Sequence, residues 1–477
     1  MKRGVVMPQG ASTKFRTVKK IVKPGENAAS SYEVNLITYS RVNAVGRNRL
    51  LSPVEAERRR NRLMAGKHEG SSSIRKMRRP VRTLTLKPAP VVPTAPKDPI
   101  EIKKNFIRGQ LRQHAALIDK KIILTVAALA LFGVLAVYSA TLTYSRNRYV
   151  IIQAAAAVLG IVLMTALSFI DYRQFAKKYR AVILINAALL LFTYFFGEGV
   201  TDKTNANWIN LGFIKIQPSE FAKILFIYSF SAHLYFVRDR INKFFTAMTL
   251  FLHAAIIIGL TFLQKDLGTL TIFLFIFAVM CFAGNLNLWY FIAGIAGIFI
   301  ASPFIWTKLN FFQQQRILAP YDISVDPNAI GVRHQAVRSM TAISLGGING
   351  SGYMHGKITQ GNFSAKHTDM IFATICEEFG FIGAIAVLGL YIFLVTRIIL
   401  VAIRSENTFG CLVCTGVAAM FIIQIIENIG MCLGVLPVIG ITLPFLSYGG
   451  SSALSTYIAI GLVLSVSTHK ERTFFGS

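Results

Sequence analysis

The chain has 477 residues, of which 53% are apolar and only 15% charged, with a formal net charge of +29 and a mean hydropathy of +0.51. Soluble domains are less apolar and nearer a quarter charged, so a water-soluble catalytic domain is excluded as the main mass. The apolar residues collect in blocks of about twenty, the length a helix needs to cross a hydrocarbon core of roughly 30 Å.

Residues 1–120 hold net +19 and residues 121–477 net +10. The first segment has no apolar run long enough to insert. It carries basic clusters, Arg58-Arg59-Arg60 and Arg75-Lys76-Met77-Arg78-Arg79, and then a Pro-rich stretch from Lys87 to Pro99. It is expected to be a mostly disordered cytoplasmic tail held near anionic lipid. Nucleic-acid binding is not expected, because neither a fold nor an aromatic platform accompanies the charge. No signal peptide is expected either, since the first apolar segment begins near Lys121.

Ten spans follow, at 122–143, 149–170, 181–197, 218–236, 244–264, 267–284, 286–306, 371–396, 408–432 and 447–467. Hence the fold class is an all-α integral membrane protein, with its membrane domain over 121–470 and a short tail over 471–477. Arg173, Lys177, Lys178 and Arg180 follow the second span, Arg238, Arg240 and Lys243 the fourth, and Arg397 and Arg404 the eighth. Cytoplasmic loops are enriched in Lys and Arg, so both termini are expected inside. Residues 307–369 then form a long outer loop. Its aromatic, apolar and Gly-rich content predicts an ordered segment folded back over the outer mouth of the bundle. The five cysteines lie in apolar segments as small buried hydrophobes.

Ionisable residues at the edge of membrane helices are functional candidates because they are costly there. Glu220 and Lys223 stand three apart at the start of the fourth span and can pair across one helix face. They read equally as part of a cavity for an anionic substrate and as an ion pair fixing two helices. Asp266 opens the sixth span, where a helix cap is a sufficient role. Asp369 opens the eighth, with Glu377 and Glu378 two turns deeper. Asp369 and Glu377, eight apart, would share a face and, if close, raise each other's pKa. Asp369 reads either as a general base or as an ordinary helix start. The Gly/Pro-interrupted stretch from Leu436 to Ser452 requires a site or a packed hinge, since irregular backbone at that depth needs protein or water around it.

Four ordered stretches together resemble the SEDS family (shape, elongation, division and sporulation) of bacterial cell-wall polymerases, the RodA/FtsW proteins. They are Trp208 to Gly212 with Ile216 to Lys223, Gln264 to Thr269, His367 to Gly383, and Asn428 to Ser452, and the likeness spans residues 120–470. The resemblance implies an inverting glycosyltransferase that polymerises lipid II on the outer face of the bacterial plasma membrane. Asp369 of the His-Thr-Asp motif would take the proton of the acceptor hydroxyl as undecaprenyl pyrophosphate leaves. It further implies a substrate-contacting set: Trp208, Gln217, Ser219, Glu220, Lys223, Gln264 and Asp266 in the first half of the chain. In the second half the set is Arg316, Gln335, Lys366, His367, Thr368, Glu378, Ser447, Tyr448 and Gly449. Arg316, Arg333, Arg338, Lys223 and Lys366 are the cations available to the leaving group. No tightly bound cofactor is implied, though a divalent cation, Mg or Mn, is allowed. The implied partner is a class B penicillin-binding protein acting as transpeptidase. Departures from the family pattern are Asn207 for Arg, Lys265 for Pro, Asn362 to Lys366 in place of the Leu-Pro-Glu lead-in, and Met370 for Phe. The lead-in thereby loses an acidic residue and gains Lys366. Two alternative readings are a lipid II flippase and a non-catalytic morphogenetic scaffold.

Overall fold

The computed structural model describes residues 116–469, apart from 144–145, 199–206, 211, 213–214 and 362, together with scattered positions between 105 and 114. The expectations for the basic tail and for residues 470–477 therefore fall outside the described residues, as does that for Asn362.

The long helices are α1 (Lys120–Ala140), α2 (Arg146–Leu167), α3 (Tyr179–Phe196), α4 (Pro218–Val237), α5 (Phe244–Leu263), α6 (Leu267–Ala283), α7 (Leu288–Lys308), α11 (Ile371–Ile403), α12 (Thr408–Cys432) and α13 (Gly450–Thr468). Among the described residues, eight have the length and hydropathy to cross a membrane. The remaining two are α6, of 17 residues, and α4, whose apolar run is diluted by Glu220, Lys223 and His233. The chain is thus a multi-pass, all-α membrane protein. Its elements alternate in direction, so two ends can be distinguished. Ser139 at the end of α1 meets Glu378 near the start of α11. At the opposite end, Asp119, which caps α1, meets Arg397 near the close of α11.

Helices α4, α12 and α13 form the centre, with α2 against α13 and α11 against α12 and α1. Close approaches need small residues here: a Cβ on Gly133 of α1 would fall 2.5 Å from the Phe445 carbonyl oxygen. Helix α7 stands apart, with none of its residues buried. Between it and α5 and α6 runs an apolar groove of about 450 Å³, lined by Phe251, Ile258, Phe277, Gly294, Ile298 and Ile305. A two-stranded hairpin, β1 (Ile209–Asn210) with β2 (Lys215–Ile216), leads into α4.

The long loop is ordered, as its composition predicts. It contains α8 (Phe311–Leu318), α9 (His334–Gly346) and the one-turn α10 (Lys357–Gln360). Its Gly-rich turn clamps a break in α11 at Gly380, where φ is 63° and ψ −160°. The amides of Ser351 and Gly352 donate to the Glu377 and Glu378 carbonyls at 2.8 and 3.1 Å, and Phe381 donates back to Gly347 at 2.9 Å. The backbone groups released by the break are paired with the loop, which is how irregular backbone is tolerated in a membrane helix.

Candidate active site

Asp369 ends a turn over 364–370 that precedes α11, and three side chains and one backbone amide hold that turn in place. Asn428 Nδ2, on α12, donates to the Asp369 carbonyl at 2.8 Å and to the Ile441 carbonyl at 2.7 Å. Ser447 Oγ donates to the Thr368 carbonyl at 2.7 Å and accepts from the Leu443 amide at 2.7 Å. The Tyr448 amide donates to the His367 carbonyl at 2.8 Å. Thr374 Oγ1 donates to the Lys366 carbonyl at 3.0 Å. The irregular 433–449 segment that precedes α13 is therefore the backing of the His-Thr-Asp turn. Gly440, with φ 76°, brings bare backbone against the carboxylate: a Cβ there would sit 3.6 Å from Asp369 Oδ2.

The Asp369 side chain is only partly exposed, and burial pushes its carboxyl up to about 6. Among the described residues no second carboxylate contributes. The expectation that Glu377 would share its face is corrected, because Asp369 lies in the turn before the helix, where helical spacing does not apply. Glu377 is buried and turned to α10, accepting from the Ile358 and Thr359 amides at 2.7 and 2.8 Å and from Thr359 Oγ1 at 2.6 Å. It caps that short helix.

Lys366 is likewise redirected. Its ammonium is buried, donating to the Thr359 carbonyl at 2.5 Å, the Gly361 carbonyl at 3.4 Å and Thr143 Oγ1 at 3.0 Å. Burial pulls its pKa below the ordinary lysine range, with Glu377 offsetting part of the effect. The residue gained in the lead-in therefore packs the loop and is not presented to a leaving group. His367 is lowered by burial and then by Lys366. Its ring packs at 5.0 Å from Tyr149 and 5.6 Å from Tyr448. Gln335 on α9 donates to Ser364 Oγ at 3.2 Å, so α9 rests on the same turn. Glu378 is buried and accepts from Ser139.

A second polar cluster is built on α4, α6, α12 and α13. Lys223 Nζ meets Glu220 Oε1 at 2.9 Å, both buried, and Ser455 Oγ donates to Glu220 Oε2 at 2.9 Å. Gln217 Nε2 donates to Asp266 Oδ2 at 3.3 Å, while Asp266 caps α6 by accepting from the Thr269 amide at 3.0 Å. The Gln217 amide donates to Ser451 Oγ at 3.2 Å. Glu427 on α12 accepts from Thr271, and its Oε2 is buried with no hydrogen-bond partner among the described residues. Ser219 Oγ is buried in the same state. The 439–441 segment joins the two clusters, since a Cβ on Gly268 would lie 3.2 Å from the Ile439 carbonyl oxygen while Gly440 abuts Asp369.

Other candidates lie elsewhere. Gln264, just past the end of α5, donates to the Leu190 carbonyl at 2.6 Å and so ties α5 to the side of α3. Trp208 pairs by backbone with Glu198 beside the hairpin, and Arg316 is exposed over Phe312. Gly449 leads into α13 as its N-cap. Glu427, Asn428, Gly440, Ser139 and Ser455 join the sites without having been singled out as contacts. Glu427 carried the available signal, being an intramembrane carboxylate like Glu220.

A broken helix, a buried ion pair and a carboxylate held in a turn at one end of the bundle define a polytopic membrane protein with a built polar site. The model of the FtsW/RodA/SpoVE family, described as cell cycle protein, matches residues 119–472, and the chain belongs to that family. It is similar to the probable peptidoglycan glycosyltransferase FtsW of Geobacter metallireducens, 32% identical over 365 residues, covering 74% of this chain and 96% of the relative. It is also similar to the peptidoglycan glycosyltransferase MrdB of Escherichia coli K12, 32% identical over 320 residues, covering 66% and 84%. Among solved structures, one described as "Structural coordination of polymerization and crosslinking by a peptidoglycan synthase complex" matches with TM-score 0.63 and 28% identity, covering 73% of this chain and 97% of that one. The rod shape determining protein RodA of Thermus thermophilus matches with TM-score 0.56 and 26% identity, covering 74% and 98%.

Proposed function

We propose that this chain is a peptidoglycan glycosyltransferase that polymerises lipid II, with Asp369 as the general base. The observation that carries the reading is the Asp369 carboxylate itself, held by a turn braced from α12, α11 and the 433–449 segment and raised to about 6. A carboxylate so placed is a better base than one in water, yet stays mostly ionised at neutral pH. It takes the proton of the acceptor sugar hydroxyl as that oxygen attacks the anomeric carbon with inversion. The pyrophosphate leaves as an anion and needs no acid.

Lys223, with Glu220 beside it, is the buried cation of the neighbouring cluster; Arg338 lies on α9, whose Gln335 meets the turn, while Arg333 precedes that helix and donates to the Asp326 carbonyl at 3.1 Å. Among the described residues no group of three or more His, Cys, Asp or Glu is placed to hold a metal. The apolar groove beside α7 suits the isoprenoid chain of the substrate. Basic residues after α2, α4 and α11 favour a cytoplasmic opposite end, and on that reading the site faces outward from the bacterial plasma membrane. A class B penicillin-binding protein is the partner that would cross-link the strands. The test is to incubate the purified chain with labelled lipid II, alone and with that partner. Muramidase-sensitive strands support the reading, and their absence in both preparations, with folded protein that binds lipid II, overturns it.

A further inference from the structure

At the end of the bundle opposite Asp369, α3, α4 and α5 enclose a groove of about 500 Å³ that the proposed reaction does not use. Its mouth is lined by Tyr179, Arg180, Arg240 and Thr246, and its deeper wall by Ile183, Leu252 and Ile256. Arg180 and Arg240 sit at this end of the bundle and Ile183, Leu252 and Ile256 one to three turns further along α3 and α5, so a cationic mouth opens onto an apolar wall beside the polar floor. No Asp or Glu lines it. Among the described residues Arg240 makes no ion pair or side-chain hydrogen bond. Arg180 is exposed, with the hydroxyl of the neighbouring Tyr179 3.4 Å from its Nε and His233 within reach of its charge, and it forms no ion pair among the described residues. The first turn of α5 has no side-chain cap and no acidic residue.

The floor of the groove is a polar chain that runs from exposed Thr249 to buried His233, His253 and Ser229. Thr249 donates to the Thr246 carbonyl at 2.7 Å, which leaves its oxygen to accept from His233 Nε2 at 3.5 Å. His233 Nδ1 meets His253 Nδ1 at 3.3 Å, and Ser229 lies 3.3 Å from His253 Nε2. With the Ser229 hydroxyl donating to His253 Nε2 rather than to the Phe226 carbonyl 3.2 Å away, one proton on each ring serves this chain, and the two histidines form a neutral base to the groove. Its unspent polar capacity is cationic and lies at the mouth.

We propose that this groove is a binding site for one anionic phospholipid, its phosphate between Arg180 and Arg240 and an acyl chain along Ile183, Leu252 and Ile256. Planar guanidinium groups match phosphate oxygens in pairs, and basic pockets between membrane helices on the cytoplasmic side favour acidic headgroups. The site is independent of Asp369 and of the polymerase reading.

The test is native mass spectrometry of the full chain released from detergent in the presence of equal amounts of phosphatidylglycerol and phosphatidylcholine. The wild type is expected to retain one phosphatidylglycerol in preference by about tenfold. Arg180→Ala with Arg240→Ala, both at exposed positions, should abolish the preference, and Ile256→Trp should reduce retention of the lipid by filling the apolar wall. Millimolar inorganic phosphate should not displace it. Equal retention of both lipids by the wild type, or an unchanged preference in the double variant, would overturn the proposal. Displacement by phosphate alone would also overturn it, leaving a free anion as the ligand.

Discussion

Replacing Asn428 tests whether the turn that carries Asp369 is held from α12. One amide nitrogen serves two carbonyls there, Asp369 at 2.8 Å and Ile441 at 2.7 Å, and the side chain is fully buried. Asn428→Ala leaves both acceptors short of a donor, and at about 1–3 kcal/mol for each buried group the expected destabilisation is about 2–4 kcal/mol after partial relaxation. Asn428→Asp keeps the shape and turns the donor into an acceptor facing two carbonyl oxygens, so it should be worse than alanine. A shift of the reacting carboxylate by about 1 Å costs about a hundredfold in rate. The assay is initial polymerisation rate on labelled lipid II beside the thermal midpoint in detergent. Alanine and aspartate variants that polymerise within about threefold of wild type, with unchanged midpoints, would refute the idea that Asn428 positions Asp369.

Polymerisation should fall as pH drops through about 6, because the base must be ionised and Asp369 binds its proton near there; a profile flat from pH 7 to pH 5 contradicts this. The same raised pKa means that the native state favours the protonated acid. Its contribution to stability is present at low pH and is lost as pH rises from the ordinary carboxylate range through about 6, so Asp369→Asn should melt no lower than wild type at pH 8. Gly380→Ala forces a Cβ within 2.4 Å of the Gly350 nitrogen at a φ of 63°, and should lower the thermal midpoint far more than alanine at Gly389, where nothing lies within 4 Å. Lys223→Met leaves Glu220 as a buried uncompensated charge and should destabilise by about 3–5 kcal/mol, and adding Glu220→Gln should recover much of it in a double-mutant cycle.

The membrane helices were legible because apolar blocks report on the bilayer directly, and even Asp266 capping α6 could be read from its place before an apolar run. The order of the long loop was legible too, from its glycines and aromatic residues, although the break they clamp at Gly380 was not. A glycine inside an apolar run looks the same whether it continues a helix or ends one. What decides is the loop of 346–352, far away in sequence. Lys366 and Glu377 escape sequence reasoning for a related reason. In the sequence Lys366 reads as a cation waiting for an anion and Glu377 as a neighbour of Asp369, but both are consumed by α10, whose position only tertiary packing sets. Asn428 belonged to a recognised motif, yet its task of tying Asp369 to Ile441 depends on how α12 meets the extended 437–446 segment.

The most direct measurement compares wild type with Asp369→Asn for polymerisation of labelled lipid II at pH 7.5, each purified with its penicillin-binding protein and shown to be folded. Long glycan strands are expected from the wild type and none from the variant, with lipid II still bound. Strands of normal length and rate from Asp369→Asn would contradict it.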